Sequence, residues 1–275
     1  MLHTSRLLSY AHLLQAGQTS RASLEPQALA YGLNREDSES VLDTLHKLAV
    51  ADGLTLVGRK MISVAQADDA EPAHGASLGY LYEQSTDYAE DNVVSLKLRT
   101  PKQLTIEPKL VFGLGSTPQP GDTLQSFQQR FDSVALAIEV LQNPFKGEHW
   151  TSEDKVCANG FHNRLVMGEA KTLSVKSRLV FDQIMANATL TLSVIDREGS
   201  QIMGFGSGRG SVDKSLQHAY ALHQQHVEAT GETPFTAGQR IAMGAWLPGK
   251  PVATGQAWVA VMIGVDLPSL CVSFC

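Results

Sequence analysis

The chain has 275 residues, of which 43% are hydrophobic and 18% are charged, a composition typical of a globular protein and not of a disordered or fibrous one. Its net charge of −6 at pH 7 argues against nucleic acid as the main partner, because phosphate binding requires a surplus of Lys and Arg. No uncharged apolar run reaches the roughly 18 residues that a membrane span needs, so we expect no membrane partner either.

The first part of the chain, residues 1–53, is predicted to be a small helical region. Apolar residues recur at helical spacing in 4–16 and again in 37–50. The polar residues Arg6 and His12 interrupt the first stretch, which suits an amphipathic helix and not a secretory signal. We therefore expect a cytoplasmic protein. Its three cysteines are too few for a disulfide framework or a zinc site, so reduced thiols are expected.

From residue 54 onward the pattern changes to short β-rich runs, which span 54–64, 93–99, 104–114, 135–141, 188–196 and 257–264. Two helices are expected among them, one of which follows Ser211. The other has the apolar face Leu124, Phe127, Phe131 and Val134. Loops are expected at 66–77, 115–122, 231–239 and 247–255. Uneven strands joined by long loops indicate an α+β fold, in which a mixed sheet folds over itself and residues 54–275 form one β-rich domain.

The predicted strands 104–114 and 135–141 together contain three charged residues. Glu107 and Lys109 are two residues apart, so their side chains share one face of the strand. Pro108 between them cannot donate a ladder hydrogen bond and marks an edge or an irregularity. Glu139 lies among apolar residues, where a lone buried carboxylate is costly unless it is paired. From spacing alone, the simplest interpretation is an ion pair of Lys109 with one of these acids on a solvated face.

Seven short segments occur in an order and spacing typical of one enzyme family. They are VGRK (57–60), GYLYEQ (79–84), IEPKLVFGLG (106–115), ALAIEVL (135–141), DKVCANG (154–160), SGRGS (207–211) and MGAWLPGKPVATGQ (243–256). On these segments the chain resembles the 2-keto-4-pentenoate hydratases and 4-oxalocrotonate decarboxylases of the fumarylacetoacetate hydrolase superfamily. The resemblance implies that superfamily's mixed β-sheet roll, a lyase activity on a small-molecule carbonyl substrate, and a homo-oligomer.

The resemblance also implies a metal site, from which this sequence departs. In the family, two glutamates of an I-E-x-E strand and one of an A-x-E strand hold a divalent metal that stabilises an enolate. By position, Glu107 matches the first ligand and Glu139 the third, whereas Lys109 replaces the second. An ammonium group repels a cation, so we expect no cofactor. Mg²⁺ or Mn²⁺ is the alternative if Glu107 and Glu139 still bind one.

Without a metal, we expect Lys109 to bridge Glu107 and Glu139 and to donate N–H groups to a substrate oxyanion. The resemblance places Lys60 at the substrate carboxylate. It also places three residues on the wall of the substrate pocket, where Asn159 is retained, Phe161 replaces a small serine and Met243 replaces a threonine. These changes predict a less polar pocket and a bulkier or less charged substrate.

Two further positions leave alternatives open. The family often has an acid–base aspartate where Gln84 stands, and Glu83 could substitute for it only if strand alternation did not turn it away. His162 is a lone histidine near the pocket wall. Such residues are more often structural than catalytic, and a general base is the second interpretation.

Two functions from different classes follow. The first is a lyase, similar to a hydratase or decarboxylase, that acts on a small 2-oxo acid through an enolate. In it Lys60 holds the carboxylate, Lys109 stabilises the enolate, and Glu107 or Glu139 transfers the proton. The second is a catalytically inactive family member that serves as a partner subunit or small-molecule binder, because several substitutions cluster around one site.

Overall fold

A computed structural model describes residues 2–20, 22–63, 76–98, 104–147, 149–244 and 246–275. Both helices expected near the N-terminus are present as α1 (Leu2–Ser20) and α3 (Arg35–Ala51), with the single turn α2 (Ala28–Tyr31) between them. Helix α3 begins after Asn34, whose side chain accepts the N–H of Asp37 in a capping box. No helix of the described residues is long and apolar enough to cross a membrane.

The described strands form two sheets. The larger sheet contains β1 (Leu56–Ser63), β2 (Ala76–Tyr82), β3 (Thr86–Tyr88), β5 (Leu104–Leu114), β6 (Phe131–Gln142), β7 (His162–Met167), β8 (Lys171–Thr172), β11 (Arg240–Met243) and β12 (Lys250–Pro251). The smaller sheet contains β4 (Val93–Leu96), β9 (Thr189–Asp196), β10 (Gly199–Ser207), β13 (Ala257–Ile263) and β14 (Leu270–Phe274). The remaining helices are α4 (Leu124–Gln128), α5 (Ser152–Cys157), α6 (Val175–Leu179), α7 (Phe181–Ala186) and α8 (Gly208–Thr230).

The larger sheet runs β2-β1-β11-β5-β6-β7-β3, with β12 beside β5 and β8 beside β6, and the smaller runs β10-β9-β13-β14-β4. Parallel and antiparallel pairs are mixed in both. One core joins the sheets, with Leu110 and Ile138 of the larger packed with Leu192 and Trp258 of the smaller. The predicted α+β fold, a mixed-sheet roll with a helical N-terminal region, is confirmed.

Strand β5 is interrupted on one flank at Pro108, as predicted. Its other flank pairs continuously with β6, where Pro108 lies opposite Ile138. On the interrupted flank, β12 pairs with β5 at Thr105 and Ile106, and β11 pairs with it only from Leu110 onward. Pro108 lies in the gap, where a residue without an N–H costs no ladder bond. The charged pair beside it therefore lies in the middle of the sheet and not at its edge.

Two predicted helices differ in the structure. Helix α4 ends at Gln128, so Phe131 and Val134 belong to β6 and not to a helix face. Both are buried, and buried apolar residues three apart fit a helix and a fully buried strand equally well. Helix α8 begins at Gly208, earlier than the predicted start after Ser211. Most of the loop predicted at 66–77 lies outside the described residues, and its last two residues belong to β2.

The N-terminal helices pack on the body through a shared core. Tyr10 and Leu45 of these helices pack in one cluster with Phe145 and Phe161 of the body. Buried Asp154 connects the N-terminal helices to the body, because its carboxylate accepts a hydrogen bond from the Tyr10 hydroxyl at 2.5 Å. It also accepts the backbone N–H groups of residues 27 and 28 at 3.1 and 2.9 Å. The helical region and the sheets thus share one hydrophobic cluster.

Candidate active site

Sheet register places four charged residues on one face of the larger sheet. Glu107 of β5 lies directly opposite Glu139 of β6, and Lys109 follows two residues later on the same face. Lys60 of β1 lies opposite Ala242 of β11. Ala242 in turn lies opposite residue 111 of β5, the next position on that face. The charges therefore meet because the four consecutive strands β1, β11, β5 and β6 present the same side.

The four side chains form a closed set of ion pairs. Lys109 Nζ lies 2.8 Å from Glu107 Oε2 and 3.3 Å from Glu139 Oε2. Lys60 Nζ pairs with the other oxygen of the same carboxylate, Glu139 Oε1. Glu139 is fully buried and the two lysine side chains nearly so, whereas the Glu107 side chain is 18% exposed. Lys109 thus bridges the two glutamates as predicted, and of the four only Glu107 reaches solvent appreciably.

Burial and charge act on these groups in opposite directions. Burial raises the pKa of Glu139, but the ammonium groups of Lys60 and Lys109 outweigh it and hold that pKa well below its ordinary value. Burial lowers the pKa of Lys109, and attraction to Glu107 and Glu139 outweighs it, so the net shift is upward. For Lys60 burial dominates and the pKa is lowered. Glu139 is therefore ionised at neutral pH and neutralised by two cations.

His162 and Ser85 extend this cluster on the far side of Glu139. His162 Nδ1 lies 2.8 Å from Glu139 Oε1, and His162 Nε2 lies 3.0 Å from Ser85 Oγ. Burial lowers the pKa of His162 despite its bond to Glu139. His162 thus lies in the cluster and not apart from it. Ser85 was not predicted, because it ends a one-turn 3₁₀ helix, residues 83–85, that has no periodicity to reveal it.

Met243, which the resemblance places on the wall of the substrate pocket, does not face this cluster. It lies opposite Leu110 across β11 and β5, and both side chains belong to the main core between the sheets. Because side chains alternate along a strand, the β11 residue that faces the charged cluster is Ala242. A family correspondence identifies a position in the sequence but does not determine the face of the sheet that its side chain occupies.

Asn159 and Phe161 lie beside the cluster, in a turn where both have positive φ angles of 53° and 62°. The Asn159 amide pairs with Tyr80, accepting its backbone N–H and donating to its carbonyl oxygen, each at 2.9 Å. Phe161 packs edge-on against Phe145 and Trp150. One N–H and the oxygen of the Asn159 amide are therefore bonded to strand β2, and these two bonds hold the turn against that strand.

Gly79 leaves the room that this packing requires. A Cβ atom at this position would lie 2.5 Å from Asn159 Oδ1 and 2.9 Å from Lys60 Cγ, both too close for any side chain. The turn also supplies the Gly160 carbonyl, which accepts from Lys60 Nζ at 3.4 Å. The two glycines let the lysine stem and the Asn159 turn share one side of the cluster.

Gln84 and Glu83 lie away from the charged cluster. Gln84 is exposed, accepts the Thr55 N–H at 3.1 Å and donates to the Gly53 carbonyl. Glu83 is also exposed and accepts the Tyr88 hydroxyl at 3.1 Å. Neither is placed to exchange a proton at Lys109 or Glu139. Gln84 instead holds the loop between α3 and β1 through these two hydrogen bonds.

A cavity of about 250 Å³ lies between the N-terminal helices and the larger sheet. Ser85, Asn159, Phe161 and His162 form part of its wall on the sheet side. The helices contribute mostly apolar side chains, among them Leu42, Leu45 and Ala49. The cavity thus reaches the cluster from the His162 side.

The residues at the site do not fit a divalent cation. The Lys109 ammonium lies between the two carboxylates that the family pattern assigns to the metal, and a cation there would meet its positive charge. Two carboxylates are also a small ligand set for Mg²⁺, which prefers six oxygens. Among the described residues, no group of three or more His, Cys, Asp or Glu side chains is arranged to hold a metal.

Solved structures share this fold over most or nearly all of the chain. The 4-oxalocrotonate decarboxylase from Pseudomonas putida G7, in complex with magnesium and adipate, matches with a TM-score of 0.81 at 17% identity, over 99% of this chain and 98% of that one. Its complex with calcium and acetate matches with a TM-score of 0.80. A protein from Oleispira antarctica assigned to the fumarylacetoacetate isomerases and hydrolases matches with a TM-score of 0.55 at 14% identity, over 80% of this chain and 94% of that one.

The sequence itself gives no such match. No protein-family model matches it, and the comparison with curated proteins also finds no match. Identities of 14% and 17% relate the folds and do not carry an activity across. The chain has the fold of the fumarylacetoacetate hydrolase superfamily.

Proposed function

We propose that this chain is a lyase-type enzyme that binds a small 2-oxo acid, or a related enolisable carbonyl compound, and stabilises its enolate with Lys109 in place of a divalent metal. The observation that carries the proposal is the position of the Lys109 ammonium, which is buried between Glu107 and Glu139. Fixed charges in a water-poor site stabilise a developing oxyanion far better than they would in water. The fold shared with a decarboxylase supports the reaction class.

The two lysines have donors left for a substrate. An ammonium group has three N–H bonds. Lys109 donates to Glu107 and forms a longer ion pair with Glu139, and Lys60 donates to Glu139 and to the carbonyl of Gly160. At least one N–H of each ammonium has no further acceptor among the described residues. We assign the remaining N–H of Lys109 to the enolate oxygen and that of Lys60 to the substrate carboxylate.

The charge balance of the cluster suits an anionic substrate. Lys60 and Lys109 together carry +2, and Glu107 and Glu139 carry −2, so the four residues sum to zero. Lys155 lies close enough to Glu107 and Glu139 to interact with them electrostatically. A 2-oxo acid therefore enters a site that is neutral or positive, and no net repulsion opposes its carboxylate.

Glu107 is the better of the two candidate proton carriers. Glu139 is fully buried, and its two cations hold its pKa well below the ordinary range, so it is a weak base. Glu107 contacts Lys109 alone among the described cations, and it is partly exposed. We assign the proton transfer to Glu107 and the orientation of both lysines to Glu139.

The inactive family member remains the second candidate, and one observation favours it. Each ammonium is already neutralised by a carboxylate within the protein, and the Asn159 amide is occupied by Tyr80. The charges of such a network are balanced without a ligand. The expectations of a homo-oligomer and of a cytoplasmic location rest on the resemblance and on the N-terminal sequence alone.

The test measures the exchange of the C3 hydrogens of 2-oxo acids for deuterium. Proton NMR monitors this exchange in the presence of excess chelator. Exchange reports enolisation whatever the later step is. We expect the wild-type protein to exchange at least one acid of a panel with different chain lengths, and Lys109→Met to be slower by about 10²–10³. The matched control is Lys146→Met, whose ammonium pairs with Glu25 at the surface and whose loss is expected to leave exchange unchanged.

Exchange that stops in chelator and returns with Mg²⁺ would contradict the proposal. No exchange above buffer with any acid would favour the non-catalytic alternative, and the panel would then be tested for binding by calorimetry.

A further inference from the structure

A second chemical arrangement lies on the opposite flank of Glu139 from Lys109. Ser85 Oγ, His162 and Glu139 form a chain of two hydrogen bonds, 3.0 Å from Ser85 Oγ to His162 Nε2 and 2.8 Å from His162 Nδ1 to Glu139 Oε1. A hydroxyl, an imidazole and a carboxylate in this order are the parts of a serine nucleophile activated by a histidine base. The three come from the turn after β2, the start of β7 and the middle of β6.

The protonation states suit this role. Glu139 is paired with Lys60 and Lys109 and is therefore an ionised acceptor, so the proton of the imidazole lies on Nδ1. The lone pair of Nε2 then faces Ser85, whose hydroxyl donates to it. The side chain of His162 is only 4% exposed, so the ring is held in this hydrogen-bonded chain away from solvent. The Ser85 hydroxyl also lies 3.1 Å from the carbonyl oxygen of Tyr82, so its single proton is shared between two acceptors.

The cavity gives this hydroxyl a place for a substrate. Ser85 and His162 line it together, opposite the apolar side chains of Leu42 and Leu45. Asn163 lies on the same wall and donates one N–H to Gln142 at 3.1 Å. A primary amide has a second N–H, for which the described residues provide no acceptor and which could bind a substrate carbonyl oxygen. Lys60, Glu107 and Lys109 do not contribute to this wall.

We propose that Ser85 is the nucleophile of an acyl-transfer activity on an ester or thioester with a small apolar acyl group. The Ser85 oxygen bonds to the carbonyl carbon while its proton moves to His162 Nε2. The bond from that carbon to the leaving oxygen or sulfur then breaks, and the leaving group takes the proton from His162. Water repeats the sequence on the acyl–Ser85 ester, releasing the carboxylic acid and restoring both side chains.

This activity does not depend on the enolate chemistry proposed above. The two share only Glu139, whose Oε2 lies near Lys109 and whose Oε1 contacts both Lys60 and His162. Ser85 has no contact with either lysine among the described residues. The experiment therefore measures covalent labelling of a serine, which is independent of C3 hydrogen exchange. Either proposal can be contradicted without contradicting the other.

The test is labelling of the whole protein with an alkyl fluorophosphonate, followed by intact mass and peptide mapping. We expect one adduct per chain, on Ser85, and hydrolysis of p-nitrophenyl butyrate that falls with the extent of labelling. Ser85→Ala should abolish the adduct. His162→Gln should slow both reactions by about 10²-fold or more, because the general base is lost. The matched control is Ser273→Ala, which removes a hydroxyl in the smaller sheet, on β14, and should leave both unchanged.

A second variant covers the case in which Ser85→Ala fails to fold. In Ser85→Cys the introduced thiol faces Nε2, and an adjacent imidazole that takes its proton lowers the pKa of a thiol. We expect it to react with iodoacetamide at pH 6 at least about tenfold faster than a free thiol of pKa about 8.5, and to lose this advantage when His162→Gln is added.

Labelling that falls on other serines, or that is unchanged by His162→Gln, would overturn the proposal. The proposal would also be overturned if the folded wild-type protein took no label and the thiol of Ser85→Cys reacted no faster than a free thiol.

Discussion

Lys109 Nζ and Glu107 Oε2 lie 2.8 Å apart although the residues are separated by only one position on β5. This local pair holds the lysine stem against the strand and directs its ammonium toward Glu139 on β6. The same strand geometry that puts the two residues on one face thus also sets the position of the positive charge.

Loss of the Lys109 charge is expected to destabilise the fold. Lys109→Met keeps most of the buried stem but leaves Glu107 without an ion-pair partner among the described residues, and Glu139 with Lys60 and His162. Removing one partner of a buried ion pair typically costs about 3–5 kcal/mol. Urea denaturation monitored by circular dichroism measures the change in unfolding free energy.

Lys146→Met is the control for that measurement, since its pair with Glu25 is exposed on both sides and should contribute less than about 1 kcal/mol. A Lys109→Met protein as stable as this control would show that the buried cluster does not depend on the bridging ammonium.

His162 should make stability fall with acid. Burial lowers its pKa, so between that value and the ordinary value of about 6.5 the unfolded chain binds more protons than the folded one. Stability from this group is therefore complete above about pH 6.5 and declines as the pH falls toward the folded pKa. Glu139, whose folded pKa is also depressed, adds a further loss only below its ordinary value of about 4.3.

We expect His162→Gln to flatten the decline in unfolding free energy between about pH 6.5 and 5. The difference between variant and wild type isolates this residue from His46 and His223, whose pKa values burial also lowers. Two curves that stay parallel over this range would contradict the assignment of a neutral imidazole.

Asp154 should couple the N-terminal helices to the body. Its buried carboxylate accepts the Tyr10 hydroxyl and the N–H groups of Gln27 and Ala28. Asp154→Ala leaves these donors unpaired, and an unsatisfied buried donor costs about 1–3 kcal/mol. We expect faster hydrogen exchange in α1 and α2 and a lower unfolding free energy.

The comparison for Asp154 is Asp52→Ala. Asp52 also connects the helices, since it accepts from Gln15 at 2.7 Å, but it does so at the exposed surface. Its loss should change hydrogen exchange little. Equal effects of the two substitutions would show that Asp154 has no special part in docking the helices.

The arrangement of the charged cluster was largely predictable from the sequence. Alternation along β5 is enough to put Glu107 and Lys109 on one face, and Glu139 follows because β5 and β6 are antiparallel neighbours in exact register. What alternation does not reveal is that Lys60 reaches Glu139, because β1 is separated from β5 by β11, a strand more than a hundred residues away in sequence.

The His162 and Ser85 contact was beyond prediction for a different reason. The pairing of β6 with β7 shifts register between Val140 and Leu141, and such a bulge redirects a side chain. Ser85 lies in a 3₁₀ turn, and a single turn has no periodicity. Neither feature leaves a pattern in the sequence, whereas the contact between the residues depends on both.

The central claim, that the Lys109 ammonium stands in place of a divalent cation, is tested most directly by metal content. Wild type and Lys109→Glu would each be equilibrated with Mg²⁺ or Mn²⁺ and freed of unbound metal. Their bound metal would then be measured by elemental mass spectrometry. We expect the variant, with three carboxylates at the site, to retain metal and the wild type to retain none. Stoichiometric metal in the wild type that is lost on Glu107→Gln would contradict the claim.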